Sequence, residues 1–490
     1  MTSVNVPPRS IQNRQPGELS LSSDMIRYHN AMTRDATVLA TLAAYNLLLL
    51  GLGVWASGRN QDTRDFLLAG GRMGGWIAGL SASASSSSAW TLLGVSGSAY
   101  LWGVQSLWLL PATLGGFLLN WTWVAPRLHR LARKEGALTL TSVIAPLSLG
   151  RARVPLMRVA SLIIVFCFAF YIAAQFDGAG KAFEENFGWS TQQSIIAGAA
   201  VVAIYTMIGG FWAVSVTDAL QAMLMVFVAV VLPLLVLGAG ISGSQPPPPA
   251  LVHASMPAAI GFALGTLGIG LGYPGQPHVV SRFMALADDT ELRKGRAVAL
   301  LWAILVYSGM LTLGLAAREA GIVLGDGEAV LFAAASSVLP PIAAGLVLAA
   351  VLAAIMSTAD SQLLTVAGSL AYDWQGDAAD ATRSPATTRV VVFVVCIAAV
   401  VLALYLPQDI FSRVLFAWHA VGSALGPVLV IRLIGREPGA WRTLASMLTG
   451  FSLTVLLHAQ PDLPGDWTER LLPLLVAMIC LTGAPKRVDA

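Results

Sequence analysis

Charge is what this chain has least of. Asp, Glu, Lys and Arg together make up 11% of its 490 residues, where a soluble surface carries about 25–35%. That shortage excludes a string of water-soluble domains, which length alone, at roughly 150 residues each, would otherwise suggest. Cysteine is nearly missing too. Cys167, Cys396 and Cys480 are three, an odd number, and all lie inside apolar stretches. A disulfide framework is therefore excluded, and they read as packing residues. Zinc-type Cys/His spacing, a catalytic triad and a phosphate-cradling loop are all lacking, so neither an enzyme nor an organic cofactor is expected. The net charge of +3 says little, and no nucleic-acid partner is expected.

What is abundant is apolar. Hydrophobic residues reach 56%, with a mean hydropathy of +0.71. Thirteen apolar segments stand out, at 36–57, 74–99, 103–126, 159–176, 193–213, 219–240, 254–275, 297–317, 339–371, 390–406, 411–431, 443–459 and 471–485. Between them they hold two charged residues, Asp360 and Arg413. Stretches of about 20 such residues are what a helix needs to cross a ~30 Å hydrocarbon core. The expectation is an all-α membrane protein with about 13 transmembrane helices in the lipid bilayer.

Lys and Arg in alternate loops set the orientation. One set of loops holds 21 of them, the opposite set 7. The N-terminus is accordingly expected outside and the C-terminus in the cytoplasm, in a plasma (inner) membrane. Residues 1–35 are polar and read as a flexible tail, not a signal peptide. Residues 244–250 read as a stiff proline-rich external loop. Residues 327–338 read as a helix lying on the surface, and 372–388, with Asp373, Asp377, Asp380 and Arg383, as a solvated internal loop.

Polar clusters inside membrane segments are where function is to be sought. The second segment contains SASASSSSAW at 81–90, six serines and three alanines ahead of Trp90. Such small residues suit close helix packing; equally, they suit an unwound stretch whose carbonyls point at an ion. The seventh contains GFALGTLGIGLGYPGQPH at 261–278, with six glycines and two prolines. Each interior Gly costs a helix about 1 kcal/mol and each Pro about 3, so this helix is expected to break. Broken backbone at membrane depth is tolerated where it lines a cavity. Two broken helices five segments apart suggest a transporter built from inverted repeats. In the ninth segment, Ala354, Ser357, Thr358 and Ser361 share one helix face. Two adjacent hydroxyls plus carbonyls suit a hard monovalent cation; the alternative is that both hydroxyls bond back to the preceding turn. Asp360 beside them is a functional candidate by default. Asp218 reads more simply, as a helix-start residue capping the sixth segment with Thr217. His278 reads as solvated at a helix end, His419 as facing small residues, and Arg413 as snorkelling to the interface. Among Trp90, Trp102, Trp108, Trp121 and Trp123, several read as interface anchors.

Six stretches in order carry a family likeness: FLLAGGRMGGWIAGLSASASSSSAW (66–90), LLNWTWVAPRLHRL (118–131), ALTLTSVI (137–144), YTMIGGFWAVSVTDALQ (205–221), GYPGQPHVVSRFMA (272–285) and LAAIMSTADSQLL (352–364). On these the sequence resembles the sodium/solute symporter family, nearest the sodium/proline symporter branch, over roughly residues 60–435. The resemblance implies a leucine-transporter-type 5+5 inverted repeat with substrate and sodium near the midplane. It implies an N-terminal tail at 1–35, a first helix and loop at 36–73 and a first repeat at 74–240. A second repeat would occupy 254–431, and C-terminal helices with a short tail 432–490. It further implies a sodium site from the carbonyls of Ala84, Ser87 and Ala354 and the hydroxyls of Ser357 and Thr358. Tyr171, Tyr273 and Pro277 fall at positions tied to the substrate pocket and its gating, and Asp218 at one tied to cation coupling. Two departures stand out. Ser86 replaces an aspartate of that branch, and Ile269 replaces a tryptophan of the pocket wall. The expectation is a sodium-coupled importer of a small organic solute, an amino acid such as proline, working as a monomer or loose oligomer. Proton coupling through Asp360 or Asp218 is the alternative on the same fold. A transporter-like sensor is a rival of another class, although no signalling domain is recognisable within the chain. A channel would need a continuous polar pore, which the clustering of polar residues argues against.

Overall fold

The structure is a computed structural model that describes residues 19–57, 63–206, 210–240, 251, 253, 255–322, 324, 326–378, 385–406, 409–461 and 463–487. Nineteen α-helices follow one another among these: α1 (Leu19–Ser57), α2 (Thr63–Leu68), α3 (Gly75–Ser86), α4 (Val95–Trp102), α5 (Leu109–Leu119), α6 (Ala125–Glu135) and α7 (Leu140–Ile144). Then come α8 (Arg153–Phe187), α9 (Thr191–Thr206), α10 (Phe211–Gly238), α11 (Met256–Leu271), α12 (Pro277–Ala285) and α13 (Asp289–Glu319). The last are α14 (Val330–Val338), α15 (Pro341–Ala371), α16 (Pro385–Tyr405), α17 (Ile410–Leu433), α18 (Ala440–His458) and α19 (Trp467–Cys480). Only isolated bridges, Met73 with Leu286 and Arg436 with Lys486, represent β-structure among the described residues. Nine helical stretches among those residues are long and apolar enough to cross a bilayer. Among the described residues, each of the thirteen apolar segments overlaps at least one helix.

The helices are sorted by what lipid tolerates. Along α15 and α17, 83% and 89% of the apolar window is buried, against 22% on α1 and 28% on α18. The buried pair carries the small and polar residues, whereas α1 and α18 turn Leu47, Leu48, Trp55, Trp441 and Leu456 outward. Without a hydrophobic drive between helices in lipid, close packing of Ala, Gly and Ser is what brings helices together. α15 accordingly packs against α8, α10 and α1.

Two helices break where the sequence analysis expects. α3 stops at Ser86; Ser87 leaves the helix (φ −121°, ψ 82°), and the chain re-enters through a wide turn at Trp90–Gly94 before α4. Serine hydroxyls compete for the backbone here: Ser86 donates to the Ser83 carbonyl at 3.0 Å and Ser83 to that of Gly79 at 2.8 Å. The freed amide of Ala89 donates to Gln175 Oε1 at 3.0 Å and that of Trp90 to Ser88 Oγ at 3.2 Å. α11 ends at Leu271, a short turn covers Tyr273–Gly275, Gln276 is extended, and Pro277 opens α12. The glycines of this break admit α17. A Cβ built on Gly275 would lie 2.6 Å from the Gly422 carbonyl oxygen and 2.9 Å from the Gly426 nitrogen. Both neighbours are backbone, so Gly275→Ala is expected to cost about 1–3 kcal/mol through overpacking. A lowered thermal midpoint in detergent, with Gly115→Ala on α5 as an open-space reference for crowding, checks this.

Several expectations are corrected. Residues 19–35, assigned to a flexible tail, continue α1 as helix; residues 1–18 and the 244–250 loop lie outside the described residues. The fifth segment does not run to 213, since α9 ends at Thr206 and α10 starts at Phe211. Residues 327–338 do not lie on an open surface: Val330, Leu331, Phe332, Ala334 and Ala335 are buried, packed between α13, α15, α10 and α4. In the 372–388 stretch Asp373 is 1% exposed, not solvated; the side chains of Asp377, Asp380 and Arg383 lie outside the described residues. Cys167 and Cys396 are buried as expected, but Cys480 is only partly so. Trp90 and Trp121 are buried, leaving Trp108 as the exposed one of the five.

Candidate functional site

The break in α3 lies against the middle of α15. Ser87 N and the hydroxyls of Ser357 and Thr358 all converge on the carbonyl oxygen of Ala84, at 3.0, 3.3 and 3.5 Å. Ser357 Oγ also reaches the Ala354 carbonyl at 3.2 Å. The hydroxyls therefore do not simply bond back along their own helix; they bridge to the unwound segment. Four oxygens from two helices, Ala84 O, Ala354 O, Ser357 Oγ and Thr358 Oγ1, meet in a place where all four residues are fully buried. An all-oxygen set without a carboxylate suits a hard monovalent cation. Ser87 sends its hydroxyl the other way, to within 3.4 Å of Tyr307 Oη.

Beside this convergence is an aromatic cluster held by both breaks. Tyr273 stands at the α11–α12 break, its hydroxyl 3.4 Å from that of Tyr307, its ring edge-on to Phe117 at 5.3 Å and to Trp418 at 4.7 Å. The broken backbone is held by side chains: Asn120 donates to the Tyr273 carbonyl at 3.2 Å, Gln276 to that of Trp418 at 2.9 Å, and Trp418 Nε1 to that of Ile269 at 3.1 Å. Tyr171, on α8, is buried and stands 6.2 Å edge-on from His278. Ser86 is buried with its hydroxyl turned into its own helix, and Pro277 lines a separate cleft described below. The structure thus joins Ser87 and Tyr273 through Tyr307, ties the Ile269 carbonyl to Trp418, and leaves Ser86 and Pro277 out of this hydrogen bonding. Next to Tyr307, Trp90 meets the Phe411 ring tilted at 5.7 Å and Trp102 meets it edge-on at 5.2 Å. Above them Lys181 pairs with Asp326 at 2.6 Å and with Glu328, which accepts the backbone N–H groups that start α17 at Ile410 and Phe411.

Asp218 is not a helix cap. It lies two turns inside α10, fully buried, while Thr217 bonds back to Ala213 and Val214. Its carboxylate accepts from Ser81 at 2.7 Å, Ser85 at 3.1 Å and the Arg282 guanidinium at 3.1 Å. Arg282 also donates to Ser361 at 2.6 Å, stacks on the Phe211 ring at 4.8 Å, and is 1% exposed. Two of the 21 Lys and Arg assigned to loops are therefore not loop charges: Arg282, and Arg432, which is buried against Glu135. Asp360 is fully buried next to Ser361, facing the same ion pair. Arg413 does not snorkel: it is 1% exposed, paired with Asp177 and donating to the Leu406 carbonyl. His278 is buried, not solvated, and His419 bonds back to Leu415. Tyr307, Phe117, Trp418, Gln175 and Arg282 went unnoticed as site residues. Only Tyr307, a hydroxyl in the middle of an apolar span, offered a signal.

Residues 66–450 match the model of the sodium:solute symporter family. The chain belongs to that family. It is 32% identical over 450 residues to the sodium/proline symporter of Escherichia coli K12, covering 88% of this chain and 89% of that one. It is 30% identical over 470 residues to the high-affinity proline transporter PutP of Bacillus subtilis 168, covering 90% and 97%. Among solved structures, a sodium-coupled sialic acid symporter in a substrate-bound outward-open state superposes with a TM-score of 0.75 at 18% identity, covering 93% of this chain and 99% of that one. The nucleobase-cation-symport-1 transporter Mhp1 gives 0.54 at 14% identity, covering 86% and 94%. These two establish the fold, a leucine-transporter-type helical arrangement. As a member of the sodium:solute symporter family, the protein is an integral membrane transporter that couples solute movement to sodium, and not an enzyme.

Proposed function

We propose that this symporter imports proline, or a zwitterionic amino acid of the same size, together with Na⁺ bound between the α3 break and α15. The convergence of Ala84, Ala354, Ser357 and Thr358 oxygens carries this reading, with Ser87 adding its carbonyl. Sodium is here a co-transported substrate. The solute would rest beside this site, its ring against Phe117, Trp418 and Tyr273 and its charged ends near the Tyr171 and Tyr307 hydroxyls. The proline transport named for the relatives supports the choice of solute. Ile269, in place of the branch's tryptophan, leaves room for a substituted ring.

Coupling follows from geometry. The same Ser87 that leaves α3 beside the cation also faces Tyr307 at 3.4 Å. Cation binding would fix the unwound segment, and with it the hydroxyls that face the solute. Each ligand then favours the state in which the other binds well, which is reciprocal coupling. The membrane potential adds about 2.3 kcal/mol per charge per 100 mV. In this reading the repeats occupy 74–240 and 254–431, and 36–73 and 432–490 flank them. The N-terminus faces outside and the C-terminus the cytoplasm of a plasma (inner) membrane.

Uptake into proteoliposomes tests it, with labelled amino acids, sugars and osmolytes offered with and without an inward sodium gradient. Sodium-stimulated accumulation of proline, at least tenfold over the gradient-free control, is expected. Accumulation of a sugar instead overturns the solute, and accumulation driven only by a pH gradient overturns the ion.

A further inference from the structure

From the sodium site, α15 continues as a ladder of oxygens. Ser361, Thr365 and Ser369 follow Ser357 on α15 at intervals of four residues, about 6 Å of rise and ~40° of rotation per step, and Asp373 lies two residues past the helix end. The lower rungs face a cleft of about 40 Å³. Ser361, Thr365, Ser369 and Asp373 line it from one side and Thr139 and Thr141 of α7 from the other, with Arg282 near its inner end. Asp373 is the one carboxylate among its described lining residues. It is 1% exposed, and its Oδ1 accepts from Thr139 at 2.7 Å. Its Oδ2 is buried without a hydrogen-bond partner. A buried carboxylate oxygen left unsatisfied is costly, and here it lies at a cleft whose lining also includes Ser361, one turn along α15 from Ser357.

We propose that Asp373, with Ser369, Thr139 and Thr141, is a second station for a monovalent cation, where Na⁺ rests after leaving Ser357 and Thr358 and before entering the cytoplasm. This rests on the sodium reading and orientation given above. One carboxylate among hydroxyls suits a monovalent ion; a divalent ion takes several carboxylates and six to eight oxygens. At the inner end, Arg282 is already matched by Asp218 at 3.1 Å, so Asp373 is the carboxylate this cleft offers a cation, with Arg153 acting on it from outside the lining. The ion is drawn down the ladder stepwise, never losing oxygen ligands altogether. The same station loads from the cytoplasmic side, so internal sodium acting there slows release.

The test uses the full chain in right-side-out membrane vesicles, with external and luminal Na⁺ varied separately. Asp373→Asn keeps an acceptor for Thr139 but removes the charge. It is expected to raise the luminal Na⁺ concentration that half-inhibits uptake at least fivefold, with the half-saturating external Na⁺ unchanged within twofold. Thr139→Val, which removes one hydroxyl of the station but keeps the carboxylate, should raise the half-inhibiting luminal Na⁺ at least twofold, again with the half-saturating external Na⁺ unchanged. If Asp373→Asn does not reach the membrane, Ser369→Ala reports on the same station and should shift luminal inhibition at least twofold. Unchanged luminal inhibition in a folded Asp373→Asn protein overturns the station and leaves a structural latch. An equal shift on both sides overturns it too, because the residue then acts through the main site. Absence of any sodium-stimulated uptake by the unmodified protein overturns the proposed function itself, and the station with it.

Discussion

Replacing Ser357 and Thr358 together by alanine is expected to raise the half-saturating sodium concentration at least 100-fold, so that sodium-driven uptake falls to background under ordinary gradients. Two of the four oxygens that meet at the α3 break come from these side chains, and both lie within 3.5 Å of the Ala84 carbonyl. A tenfold change in affinity corresponds to about 1.4 kcal/mol, and a hydrogen bond or ligand contact to a charged group contributes about 1.5–3 kcal/mol. Losing two therefore reaches the 100-fold level. The remaining carbonyls cannot compensate, being fixed by helix geometry. Thr358→Ser keeps the oxygen and removes only a methyl, and should shift sodium dependence by less than threefold. The measurement is initial uptake rate against external sodium for the three proteins. A double mutant with unchanged sodium dependence would place the coupling ion elsewhere.

How much of this could be read beforehand depended on whether a feature is local. The breaks in α3 and at α11–α12 were legible because SASASSSSAW and GLGYPGQPH each carry their own reason to leave the helix. The shared face of Ala354, Ser357 and Thr358 was legible from helix periodicity alone. That the Ala84 carbonyl lies opposite is a contact across 270 residues of sequence, and only the family likeness anticipated it. The failures are of the same kind. Arg413 looked like a snorkelling residue because Asp177, its partner, lies 236 positions away. Arg282 looked like loop charge because Asp218 is 64 positions away, and Asp218 looked like a cap because α10 was placed too late. Residues 327–338 are apolar on several sides, which local pattern cannot distinguish from a helix on a membrane surface. Tertiary pairing of charge was the information missing in each case.

That pairing makes Arg282 the position where a substitution should do most damage to the folded protein. Arg282 neutralises Asp218 directly and faces Asp360, so one guanidinium serves two buried carboxylates. Arg282→Gln leaves both carboxylates without a cation, and breaking a buried ion pair from one side costs about 3–5 kcal/mol. Asp218→Asn is expected to cost less, because the guanidinium keeps Asp360 as counter-charge and Ser361 as acceptor. The double substitution Asp218→Asn/Arg282→Gln should recover only part of the stability lost in Arg282→Gln, since it removes the unpaired Asp218 charge but leaves Asp360 without its cation. Transport should not recover with it, since the α3–α10–α12 junction is no longer tied beside the cation path. Thermal unfolding in detergent and sodium-driven uptake, measured on all three variants, separate the two effects. Equal thermal midpoints for Arg282→Gln and the unmodified protein would mean that the ion pair does not hold these helices together. Equal losses for the two single substitutions would remove Asp360 from the argument.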